Sequence, residues 1–253
     1  MHHLTRRLIL VFAFVAPLFL GLLWHRSPIA AIGVLALSHA LILYPTLRPN
    51  AQWLGPVITR FAPNGNEVWL TIDDGPTEDT PALLDLFDAR GVKATFFVKG
   101  TLVREHEDFV REIVARGHSV ANHSATHPAA TFWCLPPLAI AAQIDGCASA
   151  LQSVLGAAPR WFRAPVGMKN PYVHPQLDRR RLRLIGWSVR GFDGLLKDVG
   201  RIAGRIVPRV KAGSIVVMHQ GRPTSLQSIE RVVDELQQRG FTFVIPDDDR
   251  LLV

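Results

Sequence analysis

The stretch Val68-Trp69-Leu70-Thr71-Ile72-Asp73-Asp74-Gly75-Pro76 runs an apolar strand, Val68–Ile72, straight into two carboxylates and a Gly-Pro turn. Outward from it the pattern repeats. Short apolar runs that read as buried strands recur at Ala94–Val98, Ser119–Ala121, Trp161–Arg163, Leu182–Trp187, Ile215–Met218 and Thr242–Ile245. Helical stretches lie between most of them: Thr80 to just before Gly91, Glu107–Arg116, Pro137–Leu155, Asp198–Val210 and Ser225–Arg239. Pro81 and Pro137 suit first helical turns, and Gly91, Gly117 and Gly240 suit left-handed helix stops. Strand and helix alternating this way predict an α/β fold with parallel pairing and helices outside. About seven strands fit an incomplete barrel or a doubly wound sheet, and pattern alone does not separate the two.

In either architecture, polar residues that close strands tend to be functional. Asp73 and Asp74 close the first strand, His123 follows the third, Arg163 ends the fourth and His219 ends the sixth. Neighbouring residues on a strand point to opposite faces. One carboxylate of the pair can therefore bind a cation while the other stays free to accept a proton. The plainer reading is a solvated Asp-Gly-Pro turn. His123-Ser124-Ala125-Thr126-His127 places two imidazoles four apart, which suits one metal if the segment coils into a turn. Two nitrogens and one oxygen make an open zinc site with a place left for water, and other divalent first-row metals tolerate the same donors. The chain carries no H-E-x-x-H helix, no G-x-S-x-G elbow and no P-loop, so a covalent serine mechanism is not supported.

These motifs resemble the polysaccharide deacetylase family, with its NodB homology domain (carbohydrate esterase family four). Thr71–Pro76 matches T-F-D-D-G-P with Ile72 for Phe, and His123–His127 matches H-S/T-x-x-H. Arg163–Gly167 matches R-x-P-x-G, and Val217-Met218-His219 stands where the family has L-x-H. The resemblance covers roughly Val68 to the carboxyl terminus. It implies a distorted (β/α) barrel of about seven strands and one divalent metal, zinc first, with cobalt, manganese or nickel as alternatives. It implies Asp74, His123 and His127 as metal ligands, Asp73 as catalytic base and Arg163 as the group that holds Asp73. His219 would be the general acid with Asp193 as its partner, and the Val166 backbone N–H would help hold the oxyanion.

One motif departs. Where the family has D-x-x-D-W, this chain reads Arg190-Gly191-Phe192-Asp193-Gly194. Asp193 is kept, but Arg190 and Gly194 replace the first Asp and the Trp. Phe192 or Leu195 can take over the lost aromatic wall. Arg190 either adds positive charge beside the substrate or pairs with a nearby carboxylate.

The remaining features bound the setting. The 253 residues suffice for one sizeable domain and an appendage, and the 48% hydrophobic content is concentrated in the first 45 residues. Leu8–Trp24 and Ile29–Tyr44 are apolar runs near the short limit for a membrane span, which needs roughly 17–25 residues. A cleaved signal peptide with His2, His3, Arg6 and Arg7 as its basic region is the alternative, but no convincing cleavage site follows. The division predicted is an anchor over 1–45 at the cell inner membrane, a linker over 46–66 and a catalytic domain over 67–253. A hairpin of two spans would put the enzyme in the cytoplasm, and a single span would face it outward. The surplus of 28 Lys and Arg over 21 Asp and Glu comes with no nucleic-acid motif, so no nucleic-acid partner is expected. Arg179, Arg180, Arg181 and Arg183 read as a solvated helix end. Cys134 and Cys147 read as small buried apolar groups. The expected partners are membrane lipid and an amino-sugar substrate. Three functions follow: N-deacetylation of a polysaccharide, peptidoglycan or oligosaccharide; deacylation or deformylation of a lipid-linked amino sugar; or an inactive sugar-binding membrane protein.

Overall fold

In the computed structural model, which describes residues 2–253 but not the side chains of His2 and His3, one sheet organises everything after the first 50 residues. From edge to edge it runs Leu251–Leu252 (β10), Arg60–Phe61 (β1), Ser214–His219 (β8), Glu67–Gly75 (β2), Ala94–Val98 (β3), Ser119–Asn122 (β4), Trp161–Phe162 (β5) and Arg183–Leu184 (β6). Val189–Arg190 (β7) adds to β8, and Thr242–Phe243 (β9) adds to β2. Pairing is antiparallel where β1 meets β10 and β8 and parallel in the other ladders.

The sheet curls into an incomplete barrel. A parallel bridge between Ile58 and Ile185 stitches its two ends together, with the Ile58 N–H donating to Leu184 O and the Gly186 N–H to Ile58 O. β2 is apolar on both faces, as a strand between two layers must be. Val68, Leu70 and Ile72 face the helices. Trp69 faces the barrel interior with Phe97, Trp161, Ile215 and Val217.

Helices Thr80–Ala89 (α3), Glu107–Ala115 (α5), Pro137–Leu155 (α6) and Ser225–Gln238 (α9) stand where periodicity predicted them. In α9, Ile229, Val232, Val233 and Leu236 form the buried stripe. Gly91, Gly117 and Gly240 close helices at φ of 62°, 78° and 81°. Gly100–Glu105 (α4), Val173–Arg179 (α7), β1, β7 and β10 were not predicted, and Val199–Ile206 (α8) is shorter than expected. Cys147 is buried, but Cys134 is exposed, because its short helical turn lies on the surface and only Phe132 beside it packs inward.

His2–Trp24 (α1) and Pro28–Leu47 (α2) pack against each other across a three-residue turn, and both are long and apolar enough to cross a membrane. α6 passes the same test, but it buries Ile140, Ile144, Cys147 and Leu151 in the domain and pairs Asp145 with Arg180.

Residues 46–66 are more than a tether. Leu54, Val57, Ile58 and Phe61 are buried, and the carboxyl end of α2 is clamped to the domain. The fully buried Lys169 ammonium donates to the carbonyls of Pro45 (3.4 Å), Arg48 (3.1 Å) and Pro49 (2.7 Å). Asn50 donates to Trp187 O at 2.7 Å. Lys169→Met leaves these carbonyls without their donor, at a cost of about 1–3 kcal/mol. The expected result is a lower melting temperature and faster cleavage by proteinase K within residues 46–53. An unchanged melting curve and digest would show that the clamp carries no weight.

Candidate active site

β2 carries its two carboxylates into one cavity by breaking its own alternation. Asp73 continues the interior face of Trp69 and Thr71, in register with His219 of β8 and Phe97 of β3. The β2–β3 register then slips between Asp73 and Gly75, and Asp74 sits at φ 77°. The two side chains, expected on opposite faces, therefore line the same cavity of about 500 Å³.

Below them lies Arg163, 1% exposed, at the end of β5. Its Nη1 donates to Asp73 Oδ1 at 2.6 Å and to Thr71 Oγ1 at 2.8 Å. Nη2 and Nε donate to the Gly186 and Ile185 carbonyls, and the guanidinium lies 4.0 Å from the Phe97 ring centroid. Asp73 Oδ1 is thus engaged by Arg163, while Oδ2 looks toward His123 Nε2 at 3.7 Å.

The loop after β4 coils as two ligands on one ion require. Asn122 Oδ1 accepts from the Ser124 N–H and Ser124 Oγ accepts from the His127 N–H, with Ser124 and His127 at positive φ. His123 Nδ1 lies 2.9 Å from Arg163 O, and since a carbonyl only accepts, Nδ1 carries the proton and Nε2 keeps its lone pair. Burial pushes both imidazoles down, His127 to about 4, so both are neutral near pH 7. Burial works against the charge on Asp74, but His123, His127 and Lys99 outweigh it and hold the carboxyl at about 2.

One ligand atom from each of Asp74, His123 and His127 lies within 4.8 Å of the others. Asp74 Oδ1 is buried without a hydrogen-bond partner, with His127 Nε2 at 3.6 Å and Lys99 Nζ at 3.7 Å. Two neutral imidazoles beside a charged, orphaned carboxylate oxygen suit a divalent cation.

Across the cavity, Asp193 holds His219 twice. Oδ2 accepts the His219 backbone N–H at 2.6 Å and Oδ1 accepts ring Nδ1–H at 3.1 Å. Burial disfavours the imidazolium, but Asp193, then Asp73 and Asp74, outweigh it and raise the pKa to about 9. His219 is therefore protonated at neutral pH. Val166, at φ 50°, lines the cavity from the turn Pro165–Gly167, and its N–H has no acceptor among the described residues.

Asp73, Asp74, His123, His127, Val166, Asp193 and His219 thus share one cavity, with Arg163 buried behind Asp73. Phe192 and Leu195 line it as expected. Arg190 pairs with no carboxylate among the described residues and lies 4.1 Å from the Phe192 ring centroid. Sequence reasoning missed Trp187, Lys99 and Arg222, whose Nη2 donates to Asp74 Oδ2 at 3.2 Å. Lys99 follows β3 directly, so the same strand-end rule would have found it.

A family model described as polysaccharide deacetylase matches residues 62–184. Over 190 residues the chain is 33% identical to a chitooligosaccharide deacetylase of Bradyrhizobium sp. (strain ANU 289), covering 69% of this chain and 86% of that one. The chain belongs to the polysaccharide deacetylase family. It is also 31% identical over 188 residues to a peptidoglycan-N-acetylglucosamine deacetylase of Listeria monocytogenes, covering 74% of this chain but 39% of that longer protein. The family 4 carbohydrate esterase of Streptomyces lividans, solved in complex with acetate, superposes with a TM-score of 0.68 at 29% identity, covering 76% of this chain and 98% of that one. The family is one of hydrolases that use a divalent metal, and the expected incomplete barrel is its fold.

Proposed function

We propose that this chain hydrolyses the N-acetyl group of an amino sugar in a chitooligosaccharide- or peptidoglycan-like substrate. The observation that carries this is the convergence of Asp74, His123 and His127 within 4.8 Å, between the Arg163-braced Asp73 and the Asp193-braced His219. Asp74, His123 and His127 would hold the cation. The buried two-nitrogen, one-oxygen donor set favours zinc over magnesium or calcium, which prefer all-oxygen shells. When bound, the ion supplies a Lewis acid and lowers the pKa of water from 15.7 toward about 7.

The chain's own residues divide the proton work. Asp73, held in place by Arg163, takes the proton of the attacking water through Oδ2. The Val166 N–H donates to the oxygen on which negative charge develops. His219 gives its proton to the leaving nitrogen, because an amide anion cannot depart. Each positioned acid or base contributes about a hundred- to ten-thousand-fold. An inactive sugar-binding protein is the weaker reading, since each group already has the partner that its task requires.

The test is acetate release from N-acetylchitooligosaccharides and from peptidoglycan fragments by the full chain in detergent. Truncation at Glu67 is unsuitable, because it removes β1 and the Ile58 stitch. No release from any acetylated sugar by metal-loaded protein would sink the proposal.

The pH profile offers a second check. His219 acts as an acid only while protonated, so activity persists up to its raised pKa and falls as the pH climbs through it. Asp193→Asn removes the charge that raises it most. The alkaline limb of kcat/KM is expected to move to lower pH in that variant, and an unmoved limb would assign it to another group.

The anchor we place at the cell inner membrane, with α1 and α2 crossing as a hairpin. Arg6 and Arg7 before the pair and Arg48 and Arg60 after it, against Arg26 in the turn, favour a cytoplasmic catalytic domain.

A further inference from the structure

A second cavity, of about 380 Å³, adjoins the first and shares Trp187 and Arg190 with it. Its other walls are Tyr44, Arg48, Pro49, Asn50 and Ala51, the residues where α2 ends. It holds two guanidinium groups and no acid. Arg48 and Arg190 form no ion pair among the described residues, and neither is idle in geometry. The Arg190 guanidinium is braced 4.1 Å from the Phe192 ring centroid and 5.7 Å from that of Trp187, and Arg48 lies 5.9 Å from that of Tyr44. The acids of the neighbouring catalytic cavity are already engaged: Asp73 by Arg163, Asp74 by Arg222, and Asp193 by His219. Both side chains are exposed, and two cations gathered without counter-charge beside a site that acts on a neutral amide are placed to receive an anion carried by the substrate itself.

The place of the cavity narrows that anion. Arg48 caps the carboxyl end of α2 and is the first residue beyond that helix. Tyr44 and Trp53, both exposed, pack tilted with centroids 4.7 Å apart at the same end, and such residues are enriched at a membrane–water boundary. The Lys169 clamp and the Asn50–Trp187 bond hold this end of α2 against the wall of the catalytic cavity. With α2 crossing the membrane as proposed above, the second cavity sits at lipid-headgroup level, joined to the first through Trp187 and Arg190.

We propose that Arg48 and Arg190 form a phosphate subsite, and that the substrate is an N-acyl amino sugar carried on a membrane lipid through a phosphate or diphosphate. This rests on the deacetylase reading above and names its substrate class. Planar guanidinium groups recognise phosphate oxygens in pairs. With the phosphate between the two arginines, the sugar lies past Trp187 with its acyl group toward Asp73 and His219, and the lipid tail stays beside α2. A cytoplasmic catalytic domain meets such lipid-linked sugars but not mature wall polymer, so the topology and the arginines agree.

The experiment compares three substrates with the full chain in phosphatidylcholine nanodiscs: polyprenyl-diphosphate N-acetylglucosamine, soluble N-acetylglucosamine 1-phosphate, and neutral N-acetylchitotetraose. The lipid-linked sugar is expected to show the highest kcat/KM. Arg48→Met and Arg190→Met should each cut the ratio of lipid-linked to neutral kcat/KM by about tenfold, the value of one charged hydrogen bond. An unchanged ratio in both variants overturns the subsite. A preference for the soluble sugar phosphate equal to that for the lipid-linked one overturns the lipid carrier. If the drop appears only in nanodiscs that also contain phosphatidylglycerol, the arginines serve bulk lipid and the proposal falls. Turnover of none of the three defeats the deacetylase reading instead. The subsite is then judged by titrating inorganic pyrophosphate into the wild type and the double variant. Binding that is lost in the variant upholds it, and no binding to the wild type ends it.

Discussion

Asp73→Asn is expected to leave the chain loaded with metal and nearly without turnover. Asp74, His123 and His127 supply the three donor atoms that lie together, and Asp73 is not among them. The substitution keeps the shape of the side chain and an oxygen for Arg163, but it removes the basic lone pair that takes the water's proton. The expected loss in kcat is about a hundred- to ten-thousand-fold. Stability will fall as well. Arg163 is fully buried, and its positive charge would lose the carboxylate at 2.6 Å that balances it. Breaking such a pair costs up to about 3–5 kcal/mol, and the retained hydrogen bond moderates this. The two effects separate if kcat is expressed per mole of folded, metal-bound protein and the melting temperature is measured in parallel. Turnover equal to the parent's on that basis would remove Asp73 from the mechanism.

His127→Ala is expected to cost the metal itself. The loop that presents His127 is held by the Asn122 and Ser124 side chains, which accept from the backbone N–H groups of Ser124 and His127, so losing the imidazole side chain does not unravel it. Two donors remain where a stable open site needs three. Loss of a residue that merely supports a ligand weakens metal binding about 10–100-fold, so loss of a ligand exceeds that. Elemental analysis after dialysis should find the parent close to stoichiometric and the variant nearly empty. Activity should return to the chelator-treated parent, but not to the variant, when micromolar zinc or cobalt is added. A variant that keeps its metal would show that the ion is held elsewhere, and the proposed chemistry would go with it. Because His127 is neutral well below pH 7, with a pKa of about 4, the deficit should persist across the neutral range rather than appear only in acid.

The long, periodic elements were legible in the chain, and so were most of the residues that gather around the candidate site. β2, β3, β4 and β8 are apolar runs with polar ends, and α3, α5, α6 and α9 carry stripes and stops that local chemistry sets. β1, β7 and β10 went unread because two-residue strands show no period, and only the neighbours they pair with make them strands. The segment 46–66 looked like a connector because its prolines and glycines are local signals. The burial of Val57 and Ile58 comes from β6, more than a hundred residues away.

What the amino-acid order determined by itself was which groups close the strands: Asp73, Asp74, His123, Arg163 and His219 are named by position in a repeating pattern, because backbone periodicity is local. What the tertiary structure alone decided was their relation. The bulge that swings Asp74 into the cavity of Asp73, the seating of Arg163 beneath that pair, and the junction of α2 with the cavity wall through Lys169 and Asn50 all depend on partners distant in the chain. Contacts across such separations arise only when the curled sheet brings its ends together, and no local propensity encodes them.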